Sequence, residues 1–101
     1  MGILSSLFGT KNSDYKALIE QGALVVDVRS PQEFAGGHIQ GSINIPLNQI
    51  NAKADMLLRK NKPVITCCRS GARSGMAEGM LKSAGVDAYN GGAWESLKQK
   101  I

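Results

Sequence analysis

Cysteine is scarce in this sequence of 101 residues: there are two, and they are adjacent, Cys67 and Cys68. A bridge between neighbours would close almost no loop and would demand strained geometry, so a disulfide framework is excluded. Both are expected as thiols in a reducing compartment. A single histidine, His38, has no second histidine or acid at ligand spacing, so no metal site is expected and structural hydrogen bonding is. No stretch approaches the roughly 18 apolar residues of a membrane-spanning helix, and no stable membrane insertion is expected. The start, MGILSSLFG, lacks the basic region and cleavage pattern of a secretory signal, so the expected location is cytoplasmic. Its fit to a myristoylation pattern through Gly2 and Ser6 is short enough to arise by chance. Residues 1–12 are expected to be flexible or weakly ordered, with residues 13–101 forming one small domain.

Dense basic runs are also missing. Residues 1–50 carry three basic and four acidic groups, whereas residues 51–101 carry nine basic and four acidic. That asymmetry favours an anionic ligand. The lysines at 53, 60, 62, 82, 98 and 100 are scattered, and the few aromatic residues are not interleaved with them, so no nucleic acid partner is expected.

What is present alternates between short apolar runs and helical stripes. Asn12 or Ser13 can cap a helix carrying Tyr15, Leu18 and Ile19, with Gly22 as its stop. ALVVDV, residues 23–28, has the pattern of a buried strand. Ser30, Pro31 and Glu33 place an N-cap, a first-turn proline and a capping-box acid in register, so a short helix should start there and stop at Gly36 and Gly37. A second strand is expected over SINI, residues 42–45, followed by a helical stripe of Leu47, Ile50, Ala54, Leu57 and Leu58. PVITCC, residues 63–68, supplies a third strand, expected to run over 64–67 with Cys68 beginning the turn.

Beyond Arg73, Met76, Ala77, Met80, Leu81 and Ala84 share a helix face that Gly85 ends. Gly75 and Gly79 inside that helix suggest close packing against a neighbour or a ligand. VDAY, residues 86–89, is expected as a fourth strand before a last helix with Trp94, Leu97 and Ile101. The pattern predicts an α/β fold, a mostly parallel sheet of four to five short strands with helices on both faces. Ligands in such folds bind beyond the carboxyl ends of the strands. Both DVR, residues 27–29, and CCRSGARS, residues 67–74, fall there.

A cysteine at the end of a buried strand, followed by a short turn and a helix, sits where backbone N–H groups and the positive helix end converge. Arg69 and Arg73 add two charges, Gly71 lets the backbone bend, and Ser70 and Ser74 offer hydroxyls. Such surroundings lower a thiol pKa and hold an anion, which describes a nucleophilic thiolate. Alternation along the strand puts Cys67 with Ile65 among core residues and leaves Cys68 for the turn, so Cys68 is the expected nucleophile. Trp94 is expected to anchor the last helix.

DVRSPQEFAGGHIQGSINIP, residues 27–46, followed by CRSGARS and by GVDAYNGGAWESL, closely resembles a single-domain rhodanese, a sulfurtransferase. The resemblance covers about residues 13–101 and implies the rhodanese-like fold. It also implies that Cys68 carries sulfur as a persulfide, cradled by the backbone of Arg69, Ser70, Gly71, Ala72 and Arg73, with Asp27 and Arg29 behind the loop; Ser74, near the start of the following helix, is expected to support the loop. The implied donor is a small sulfur-containing anion such as thiosulfate or a persulfide, and the acceptor is cyanide or a thiol. No metal or organic cofactor is implied. A protein persulfide donor or acceptor, with the domain as a sulfur relay or interaction module, is the alternative. Four residues separate Cys68 from Arg73, as in sulfur-transferring members of the family; the phosphatase-like members carry a loop one residue longer.

Overall fold

The computed structural model describes residues 14–101. The expected weakly ordered start, residues 1–12, and the capping residues Asn12 and Ser13 lie outside the described residues. Helix α1 spans Tyr15–Glu20, with Asp14 at its N-cap making no side-chain capping bond. Strand β1 follows at Leu24–Asp27, helix α2 at Pro31–Ala35 and strand β2 at Ile43–Asn44. A 3₁₀ turn at Leu47–Gln49 leads into helix α3, Ile50–Arg59, then strand β3, Val64–Cys68. Helix α4 spans Ala72–Ser83, strand β4 Ala88–Ala93 and helix α5 Trp94–Lys100.

The four strands form one parallel sheet in the order β2-β1-β3-β4. β3 is therefore central, and all five of its residues are buried. Strand alternation sorts the core into two layers. Val26, Val28, Val64 and Cys68 pack with Ile50, Ala54 and Leu57 of α3 and with Ala77 and Leu81 of α4. Val25, Ile65 and Cys67 pack on the other face with Leu18 of α1 and Leu97 of α5. The two adjacent cysteines thus belong to opposite faces.

Local chemistry explains the segments that frame the carboxyl edge. In α2 the Ser30 hydroxyl accepts from the Glu33 amide while the Glu33 carboxylate accepts from the Ser30 amide, with Pro31 in the first turn, as expected. Asn44 donates to the carbonyls of Asp27 and Arg29 at 3.0 and 2.9 Å, holding β1 where it leaves the sheet.

Several expectations differ from the structure. β3 runs through Cys68, because pairing with β4 resumes at Cys68 and Ala93 after a register shift. β4 starts later, at Ala88, and runs past Tyr89 through Gly91 and Gly92 to Ala93; a side chain at Gly91 would strike Ile65, Leu97 and the Thr66 carbonyl, each at 2.8 Å. Met76 is 55% exposed and Ala84 is exposed, while Ser74, Ala77 and Leu81 form the buried face of α4. A polar serine occupies a core position there, which displaces the apolar stripe. Of the two helical glycines, Gly75 lies where a Cβ would come within 3.2 Å of the Asn90 amide, whereas Gly79 faces open space.

These contacts predict opposite outcomes for two glycine-to-alanine changes. Gly91→Ala should destabilise the protein by about 1–3 kcal/mol through overpacking against backbone. Gly79→Ala should stabilise it by about 0.5–1 kcal/mol by raising helix propensity in free space. Urea unfolding of the two variants beside the parent checks both signs.

Candidate active site

The loop from Cys68 to Ser74 joins β3 to α4, and its shape depends on Gly71. That residue is the N-cap of α4 and has φ of +104°, a left-handed conformation costly for a side-chain-bearing residue. The turn directs the Gly71 N–H back onto the Cys68 sulfur at 2.9 Å, and the Ser74 N–H reaches the same atom at 3.4 Å. The thiol in turn donates to the Ser74 hydroxyl oxygen at 3.4 Å. Thr66, fully buried, donates to the Ser74 carbonyl at 2.8 Å and ties the first turn of α4 to β3.

The two thiols are driven apart electrostatically. Burial, and then the negative charge of Asp27, push the Cys67 thiol up to about 12. Burial also acts upward on Cys68, but the Ser74 hydroxyl and the amides of Ser74, Gly71 and Ser70 outweigh it, and its pKa falls below the ordinary thiol value. The thiolate form is thereby disfavoured at Cys67 and favoured at Cys68 relative to an ordinary thiol.

Arg69 and Arg73 do not share one environment. Arg69 is exposed and forms no ion pair among the described residues. Arg73 makes a two-pronged pair with Glu33 at 2.8 and 3.1 Å, which closes the loop against α2. Glu33 therefore does more than complete a capping box. Asp27 and Arg29 are buried and paired, with guanidinium nitrogens 2.7, 2.9 and 3.1 Å from the carboxylate oxygens. Expected to support the loop, this pair hydrogen-bonds to no residue of it. Arg29 instead donates to the carbonyls of Glu33 and Gly37 at 3.3 and 2.6 Å and lies 4.8 Å from the centre of the Trp94 ring. Its connection to the loop runs through α2 and the Glu33–Arg73 pair.

Gly37 has φ of +153°, and a Cβ there would come within 3.3 Å of the Trp94 indole. That contact explains the glycine before His38, whose Nδ1–H donates to the Phe34 carbonyl at 2.7 Å while its ring stacks on Phe34. Arg29, Glu33, Gly37, Arg69 and Trp94 line an open cleft of about 280 Å³ beside the loop. One further residue was not singled out by the sequence: Asn90, whose side chain contacts Ser74, Gly71 and Gly92. Its only sequence signal is that it immediately precedes the two glycines.

The Arg73–Glu33 pair generates a pH prediction. Hydrogen bonding from Arg73, then from the Ser30 amide, lowers the Glu33 pKa from 4.5 to about 2. A carboxylate lowered on folding contributes stability that is complete above its unfolded value and is lost as pH falls through its folded value. The denaturation midpoint should fall between pH 4.5 and about 2, and Glu33→Gln should flatten that part of the curve. Urea midpoints across this range test it; equal slopes in the two proteins would contradict the assignment.

Comparison with known proteins agrees with this architecture. The model of the rhodanese-like domain matches residues 11–99. The chain is 44% identical over 69 residues to the uncharacterized protein YqhL of Bacillus subtilis (strain 168), covering 67% of this chain and 54% of YqhL. It is 38% identical over 61 residues to the thiosulfate sulfurtransferase PspE of Escherichia coli (strain K12), covering 59% of each. The chain thus spans little more than half the length of these curated relatives. A solved rhodanese with anions from E. coli superposes with a TM-score of 0.66 at 33% identity, over 72% of this chain and 88% of that one. With a family match across nearly all the described residues and the expected parallel sheet beneath it, the chain belongs to the rhodanese-like domain family.

Proposed function

We propose that this chain is a sulfurtransferase that carries sulfane sulfur on Cys68 as a persulfide. The observation that carries this reading is the convergence of the Gly71 and Ser74 amides on the Cys68 sulfur, while burial holds its neighbour Cys67 protonated. The Cys68 thiolate attacks the outer sulfur of a donor; the donor's S–S bond breaks and its electron pair leaves with the departing group. With thiosulfate the products are the Cys68 persulfide and sulfite. An acceptor nucleophile, cyanide or a thiolate, then attacks the outer sulfur and returns Cys68 as thiolate.

Each loop residue has a part in this cycle. The backbone of Arg69, Ser70, Gly71, Ala72 and Arg73 cradles the outer sulfur, and its N–H groups meet the negative charge there. Arg69, exposed and in no ion pair among the described residues, can meet the oxyanion end of a donor. Arg73 is held by Glu33 and serves mainly to position the loop, with Ser74 beside the sulfur. Asp27 and Arg29 brace the wall formed by α2 and Trp94. The solved rhodanese with anions supports a small anionic donor. A reducing compartment such as the cytoplasm keeps Cys68 available. A protein-borne persulfide would use the same attack, and the test separates it from thiosulfate.

Initial rates with thiosulfate and cyanide both varied should give the parallel double-reciprocal lines of a ping-pong mechanism. Cys68→Ser should lower turnover at least about a thousandfold, whereas Cys67→Ser should retain it. Arg69→Ala should raise the thiosulfate KM by about tenfold with little change in kcat. Turnover that survives Cys68→Ser would overturn the proposal. A protein persulfide accepted readily beside negligible thiosulfate turnover would assign the chain to sulfur relay.

A further inference from the structure

The Ser74 hydroxyl has one hydrogen and stands beside three acceptors: the Asn90 Oδ1 at 2.6 Å, the Gly71 carbonyl at 3.1 Å and the Cys68 sulfur at 3.4 Å. Which of them receives the hydrogen follows from the network around Asn90. The Gly92 N–H points at one end of the Asn90 amide from 2.9 Å, and a backbone N–H can only donate. That end must be Oδ1. The other end, Nδ2, then faces the Gly71 carbonyl at 3.5 Å, again donor toward acceptor. A flipped amide would oppose donor to donor and acceptor to acceptor.

Oδ1 cannot donate, so the short Ser74–Asn90 contact requires the serine to donate. The Gly71 carbonyl already accepts from the Gly75 amide at 3.0 Å, which further favours Asn90 as the recipient. The absence of a side chain at Gly75 makes the room in which the Asn90 amide sits. While Cys68 is a thiol, its S–H faces a serine lone pair. That arrangement fails once the sulfur ionises, because a lone pair would then face an anion.

We propose that Asn90 is a positioning residue that holds the Ser74 hydroxyl hydrogen away from the Cys68 sulfur, so that ionisation of the thiol requires the hydroxyl to turn over. The inference rests on Cys68 being the sulfur-carrying residue for its place in a cycle. There the hydroxyl follows the charge on the inner sulfur: toward Sγ in the thiolate, and back to Asn90 when Sγ is neutral in the persulfide. No covalent bond changes in this movement. The backbone amides stabilise the thiolate without rearrangement, whereas the hydroxyl does so only after leaving Asn90.

The charged and titratable groups around this assembly are assigned to other partners. Arg73, in the first turn of α4, is taken by Glu33 of α2. Asp27 and Arg29 pair with each other at the end of β1. Cys67 lies on the opposite face of β3. Tyr15 of α1 donates to the Asn90 carbonyl at 2.8 Å, and Glu78 of α4 pairs with Lys82 at 3.1 Å. None of these makes a hydrogen bond to the Ser74 hydroxyl.

The test is a pH titration of thiolate ultraviolet absorbance in a Cys67→Ser background, which reads ionisation without requiring sulfur transfer. Asn90→Ala frees the hydroxyl to face the sulfur and should lower the Cys68 midpoint by about one pH unit. Ser74→Ala should raise the midpoint, and in that background Asn90→Ala should have little effect. Asn90→Asp keeps an acceptor oxygen and should move the midpoint upward, providing a second variant if alanine prevents folding; that shift should shrink in the Ser74→Ala background. A midpoint unchanged or raised by Asn90→Ala, or equal Asn90 shifts with and without the Ser74 hydroxyl, would overturn the inference. Failure of thiosulfate turnover would leave this titration unaffected, so the two proposals fail separately.

Discussion

The hydrogen bond from the Gly71 amide to the Cys68 sulfur, 2.9 Å long, requires three things at once. β3 must end in the middle of the sheet, the chain must reverse within three residues, and α4 must begin immediately afterward. The left-handed Gly71 meets the second and third requirements, because its backbone turns the amide inward while starting the helix. The first is met by pairing β3 on both sides, with β1 and β4, which buries Cys68 to 1% exposure. An anion at that atom would be prohibitively desolvated without donors, so the loop and the cysteine function only together.

The same strand gives its two cysteines different surroundings. Alternation along β3 sends Cys67 to the face of Ile65 and Leu97, beside the charge of Asp27, and Cys68 to the face where α4 starts. Two identical side chains thus have opposite ionisation tendencies. Around them, much of the polar framework is indirect. The buried Asp27–Arg29 pair shapes α2 and the Trp94 wall, and α2 returns Glu33 to Arg73 across 40 residues of sequence. The loop is therefore clamped from α2 as well as from β4, where Asn90 sits.

Features built from neighbouring residues were legible before the fold was known. Ser30, Pro31 and Glu33 form the expected capping box because three adjacent turns of logic decide it locally. Cys67 falls in the core with Ile65 because strand alternation has a fixed period. The parallel sheet followed from apolar runs alternating with helical stripes. Features built across the fold were not legible. The Ser74–Asn90 contact joins residues 16 apart, and the two glycines after Asn90 say nothing of a partner that far back in the chain. Met76 and Ala84 were expected inside because they are apolar, but Ser74 takes the buried position that the site requires. Gly91 looks like a turn residue and is a strand residue, made small by Ile65, Leu97 and the Thr66 carbonyl pressing on it.

The most direct test of the central claim is intact-mass measurement of the folded, reduced protein after incubation with thiosulfate, followed by addition of cyanide. The account predicts gain of one sulfur atom, retained in Cys67→Ser, absent in Cys68→Ser and removed by cyanide. A sulfur adduct that requires Cys67 and forms without Cys68 would contradict it.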